Sequence, residues 1–228
     1  MSSLQSIYEQ MSNDMEIIEA YSSIANAEAV EGYAAHDINH VNRVINNCIA
    51  ISRLLAISED DAAAIKIAAL LHDIGCVNGE KEGHAKRSAE WAKRYLQDKN
   101  MPQPDIDKII IAVGEHSGDA KSTFGKILLF ADKIDICAER ILPRGLKLAG
   151  NRQYGHIMAV EIAIENEELT IDFLTDGEID IAEMNEYYFT VKVFQGIADL
   201  ARHFGLSHKI MFDGVDAIGK CVRNNRFL

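Results

Sequence analysis

The segment Asp61 to Ile74, DAAAIKIAALLHDI, constrains the fold more than any other part of the chain, because it is apolar on nearly every side. A helix with that distribution belongs at the centre of a bundle. Ser58, followed by Glu59, Asp60 and Asp61, supplies an N-cap, and Gly75 is placed to end the helix. His72 and Asp73 therefore fall at the C-terminal end of a buried helix. A carboxylate in that position must be paired or bound to a metal, since burying a lone charge is costly. A neutral imidazole beside it offers nitrogen together with hard oxygen, a donor set suited to iron, manganese, zinc or nickel more than to calcium. The plainer reading is a helix-end histidine whose neighbouring carboxylate faces solvent.

The flanking sequence supplies partners for that helix. Leu4, Ile7, Met11, Met15, Ile18, Tyr21 and Ile24 recur at steps of three and four, which predicts an N-terminal helix or pair of helices. Val41, Val44, Ile45, Cys48, Ile49 and Leu55 repeat the pattern. Gly83 to Leu96 forms another helix, and the MPQP turn separates it from Ile106 to His116. Phe124 to Leu142 reads as one further apolar helix, closed by Pro143 and Gly145. The period then changes. His156 to Ile164 and Leu169 to Leu174 alternate apolar and polar residues around Glu165-Asn166-Glu167-Glu168, which predicts a hairpin, and helical periodicity returns from Ile179 to Phe204. The expected architecture is mostly α. A helical bundle over 1–145 carries the site, and a β hairpin with a helical C-terminal extension, 146–228, packs on the same core with one edge exposed.

Charge narrows the choice of partner. The formal charge is 23 − 35 = −12 and no run of five basic residues occurs, which disfavours long nucleic acid. A small phosphorylated ligand stays open, because a bound cation can reverse the field inside one pocket. Cys48, Cys76, Cys137 and Cys221 form no CxxC pair, so reduced, mostly buried thiols are expected. The opening MSSLQSIYEQMSNDMEIIEA has no basic patch followed by an apolar core, and no later stretch approaches a membrane span. The expectation is a cytoplasmic protein.

Of eight histidines, five lie between residues 36 and 116 in helical context. HVNRV at His40 to Val44, LLHDIG at Leu70 to Gly75 and FADKID at Phe130 to Asp135 together resemble, in order and spacing, the HD-domain superfamily. Each motif alone is weak; the three in order are specific. The resemblance covers about residues 35 to 142 and implies an HD-domain helical bundle. It also implies that His40, His72, Asp73 and Asp132 bind metal. Members with two metals have two further histidines between the HD pair and the last aspartate, and His84 in GHAKRSAEWA and His116 in IAVGEHS match them. The resemblance thus implies a dinuclear site of divalent transition metal, with Asp73 able to bridge. Otherwise His84 is a helix-start surface residue and His116 a C-terminal cap. His36-Asp37 repeats the spelling without the preceding apolar run. His36 shares a helix face with His40 if the helix starts early enough, and Asp37 is equally well placed to cap that helix.

Such a site suits phosphoester hydrolysis, because divalent ions acidify water and neutralise phosphoryl oxygens as charge builds. The leading expectation is a metal-dependent phosphohydrolase acting on a nucleotide or another small phosphorylated metabolite. Asp73 and Lys133 are its candidate catalytic residues, and Lys133, Arg43, Arg87 and Arg144 are candidates for gripping substrate phosphates. Glu115 and Asp135 are candidates for proton relay or for orienting histidines. Two other classes remain open. One is an HD-type di-iron oxygenase with the same ligands; the other is a non-catalytic sensor or assembly module, with a homodimer formed through the hairpin edge.

Overall fold

In the computed structural model, which describes residues 3–76 and 80–217, the chain is mostly helical and divides into two compact units. One unit comprises 1–31 with 35–132, and the other comprises 32–34 with 133–228.

The first unit is a helical bundle. Helices α1 (Ser3–Met11) and α2 (Met15–Glu31) precede α3 (Ile38–Leu54), α4 (Glu59–Leu71), α5 (His84–Asp98), α6 (Gln103–Glu115) and α7 (Thr123–Lys133). Helix α4 is the central one and packs on α1, α3, α5 and α6. Eight of its residues are buried, from Ala63 through Leu71 with Lys66 excepted, as the near-continuous apolar run requires. Its start is capped as expected, with Ser58 Oγ accepting from the Asp61 N–H at 3.2 Å. Asp37 caps α3 in the same way, accepting from the His40 N–H at 2.9 Å. Near the far end of α4 the buried Tyr21 hydroxyl of α2 donates to the Leu70 carbonyl at 2.8 Å, satisfying one of the acceptors that a helix terminus leaves open.

Gly75 does more than end α4. A Cβ there would lie 2.5 Å from the Ser88 amide nitrogen and 2.6 Å from the His84 carbonyl oxygen. Only glycine lets the backbone after the His-Asp pair come this close to the start of α5.

The second unit is built on a four-stranded sheet in the order β1 (Ile157–Glu165), β2 (Glu168–Thr175), β3 (Ser207–Phe212), β4 (Val215–Asp216). Strands β1 and β2 form the expected hairpin, with Glu165 paired to Glu168 and with Asn166 and Glu167 at positive φ, as a two-residue turn demands. Helices α8 (Ile181–Met184) and α9 (Tyr188–His203) follow, and α9 packs on β3. Strand β3 returns parallel to β2, so the predicted hairpin is half of a larger sheet.

The helix expected from Phe124 to Leu142 ends at Lys133 and is followed by a single 3-10 turn at Ala138–Arg140. The Asp135 carbonyl is taken by the buried Arg140 guanidinium at 2.8 Å in place of a helical N–H. Beyond this break the chain pairs with 32–34, through an Ala34–Ile141 bridge and the Leu142 N–H on the Tyr33 carbonyl. The division between the units falls at 132/133. Among the described residues no helix is long and apolar enough to cross a membrane. Cys48, Cys76 and Cys137 are buried, and Cys221 lies outside the described residues.

Candidate metal centre

All six residues singled out as ligands lie in the first unit, and five of the six have no more than 5% of their surface exposed. Each comes from a place where a helix begins, ends or crosses the core. His40 stands in the first turn of α3, His72 caps the C-terminus of α4 with Asp73 next to it, His84 is the first residue of α5, His116 caps the C-terminus of α6, and Asp132 is in the last turn of α7.

Asp73 stands at the centre. Its Oδ2 lies 3.1 Å from His72 Nε2 and 3.4 Å from His40 Nε2. Its Oδ1 lies 3.2 Å from His84 Nε2 and 3.3 Å from His116 Nε2. Two groups therefore share this one carboxylate, His40–His72–Asp73 and Asp73–His84–His116, and either could hold a metal ion. Asp132 joins the first group, its Oδ1 being 3.4 Å from His40 Nε2 and 4.0 Å from His72 Nε2.

The histidine tautomers follow from their partners. Nδ1 of His72, His84 and His116 lies 2.6–2.7 Å from the carbonyl oxygen of Ala69, Lys81 and Val113 respectively. A carbonyl can only accept, so each Nδ1 carries a proton and Nε2 is the nitrogen that faces inward, with a lone pair there whenever the ring is neutral. The inward nitrogens converge: His72 and His40 Nε2 are 3.3 Å apart, and His84 and His116 Nε2 are 2.9 Å apart. Inward lone pairs set around carboxylate oxygens, with the outer N–H groups fixed by backbone carbonyls, are the donor set a transition-metal ion requires. These residues fit the metal that the chemistry calls for.

The electrostatics agree. Burial alone would raise the Asp73 carboxyl, but the charge of His72 and hydrogen bonds from His116, His40 and His72 hold it well below the usual carboxylate range. Burial depresses His116 below the ordinary imidazole value despite Asp73. At His84 the pull of burial is overcome by the hydrogen bond and charge of Asp73, which leave it raised. Burial pushes the thiols of Cys48 and Cys76 up.

The other candidates have different surroundings. The three guanidinium nitrogens of Arg87 donate to the carbonyls of Gly75, Glu82 and Glu80 at 2.6–2.9 Å, which staples the segment between α4 and α5. Glu115 accepts from the Ser122 N–H and hydroxyl at 3.0 and 2.6 Å and pins the loop between α6 and α7. Arg43 is half-buried on α3. In the second unit, the Lys133 ammonium lies 5.5 Å from the centre of the Phe189 ring, Arg144 lies 5.0 Å from that of Tyr33, and the Asp135 carboxylate accepts from the Cys137 thiol.

Glu28 was not singled out from the sequence. It is 2% exposed on α2 and accepts from both the backbone N–H and Nδ1 of His36 at 2.7 Å, while the Lys81 ammonium stands 3.4 Å away. The His36 ring in turn meets His40 edge-on, with centroids 5.5 Å apart. The signal was present in the spacing: Ile17, Tyr21, Ile24 and Glu28 lie on one buried face of α2, so a carboxylate in that row needs a partner.

Residues 37–141 match the model of the HD domain family, and all six clustered residues fall inside the match. This part of the chain is similar to HD domains. It is also similar to a solved structure described as a predicted HD superfamily hydrolase from an uncultured Thermotogales bacterium. That similarity is at 28% identity, covers 57% of this chain and 74% of that one, and has a TM-score of 0.43. Comparison with curated proteins found no match.

Proposed function

We propose that the protein is a metal-dependent phosphohydrolase acting on a nucleotide or another small phosphorylated metabolite through a dinuclear centre. The carrying observation is the Asp73 carboxylate, shared between two His/Asp groups with one oxygen toward each. In this reading His40, His72, Asp73 and Asp132 hold one divalent ion, and Asp73, His84 and His116 hold the other. When bound, the ions would supply activated water and neutralise the charge that develops on a phosphoryl group.

The protein's own contribution is orientation. Backbone carbonyls fix the tautomers of three histidines, and the low, ionised Asp73 is ready to bridge at neutral pH. Arg43, one turn after His40 on α3, is the proposed phosphate-gripping cation; Arg87 is left out because its guanidinium is committed to the loop it staples. The test is release of inorganic phosphate from a panel of phosphorylated metabolites, with the chelated protein reloaded with manganese, nickel, iron or magnesium. Metal-dependent release that is lost in Asp73→Asn supports the reading. Oxygen consumption with iron and no phosphate release would replace it with the oxygenase.

A further inference from the structure

We infer that the free edge of β1 is a self-association surface, on which two copies of this chain pair antiparallel about Ile162. Among the described residues, strand β1 is one margin of the sheet. It has nine residues, IMAVEIAIE, with no proline, one of the devices that blunt an exposed edge. Its two faces differ. Val160, Ile162 and Ile164 are in register with Phe173, Ile171 and Leu169 of β2, all buried, yet they remain only partly covered themselves. Ala159, Glu161, Ala163 and Glu165 lie on the other face, where Glu161 is paired with Asp172.

The hairpin sets which amide groups point outward. A two-residue turn closes on the Glu165–Glu168 pair, and hydrogen-bonded pairs then alternate along the ladder. The amide groups of Glu165, Ala163 and Glu161 thus turn toward β2, and those of Ile164, Ile162 and Val160 turn toward the open edge. A two-fold axis at Ile162 brings these outward groups into mutual hydrogen bonds.

The side chains select that axis. Centred on Ile162, Val160 faces the second copy's Ile164, and Glu161 and Glu165 each face an alanine, Ala163 and Ala159. Centred one residue earlier, Glu161 meets its own copy; centred one residue later, Glu161 meets Glu165. Both of those registers oppose carboxylates, which is destabilising across a strand pair. A two-fold at Val160 would draw in the register irregularity between Ile157 and Ala159. Only Ile162 combines a regular strand, an apolar row and unopposed carboxylates.

The experiment is sedimentation equilibrium of the full chain over a wide concentration series, compared with Ala163→Lys and Ala163→Glu. Position 163 faces Glu161 of the second copy twice in the symmetric pair. The lysine variant is expected to dimerise roughly two- to thirty-fold more tightly and the glutamate variant to weaken by a similar factor. Circular dichroism of both variants checks that the sheet is intact. A protein monomeric at every concentration, or a dimer whose constant ignores both substitutions or moves the same way with both, would overturn the inference.

Discussion

His84 Nε2 and His116 Nε2 lie 2.9 Å apart, although the Nδ1 proton of each ring is already committed to a backbone carbonyl. With both rings neutral their lone pairs are directed at one another, an arrangement that a cation relieves. Metal loading should therefore stabilise the fold. At a free metal concentration a hundredfold above Kd the gain is about 2.7 kcal/mol per site, or an upward shift in Tm of roughly 5–10 °C for a chain of this size. Thermal unfolding with chelator and with manganese measures it; identical curves would count against a metal in this position.

The two groups are separable by mutation. His84→Ala removes a residue that touches only the Oδ1 side of Asp73, so metal content should fall from two ions per chain to one. Asp73→Ala should remove both. Elemental analysis of the dialysed proteins distinguishes these outcomes.

Gly75→Ala should be destabilising by about 3 kcal/mol, the upper part of the overpacking range, because the new Cβ meets the backbone atoms of Ser88 and His84. A second change, Ser88→Ala, relieves the hydroxyl contact at 2.8 Å but neither backbone contact. It should therefore restore little of the urea midpoint.

Glu183 supplies a pH test remote in sequence from the ligands. Its carboxylate accepts from Arg152, Gln153 and the Gly150 N–H, with Arg152 the largest influence, and these bonds lower it from 4.5 to about 2. A carboxyl lowered in the folded state contributes stability above its unfolded value and loses it as pH falls toward the folded one. Glu183→Gln should thus cost about 1 kcal/mol near neutrality, after allowance for solvent screening. The difference from the parent should shrink between pH 4.5 and pH 2 in urea titrations.

The six clustered residues were legible because the motifs around them resemble those of a known family. A helix as apolar as Asp61 to Leu71 had to be central, and its terminal His-Asp pair had to be buried with it. Glu28 escaped notice because no motif marks it; only its place in the Ile17–Tyr21–Ile24 row does. The break after Lys133 was hidden because Ile134, Ile136 and Ile141 continue an apolar pattern, while the contact that ends the helix is a tertiary one from Arg140. Strand β3 was missed for a similar reason. Ser207 to Phe212 is short, and its pairing partner, β2, lies across the whole of α9 in the chain. Non-local pairing of that kind leaves little trace in local periodicity.

The central claim is that Asp73 bridges two ions. Anomalous X-ray scattering from crystals of the manganese-loaded protein tests it most directly. The account predicts two peaks flanking the Asp73 carboxylate, one beside His40 and His72 and the other beside His84 and His116. A single peak, or peaks that make no contact with Asp73, would contradict it.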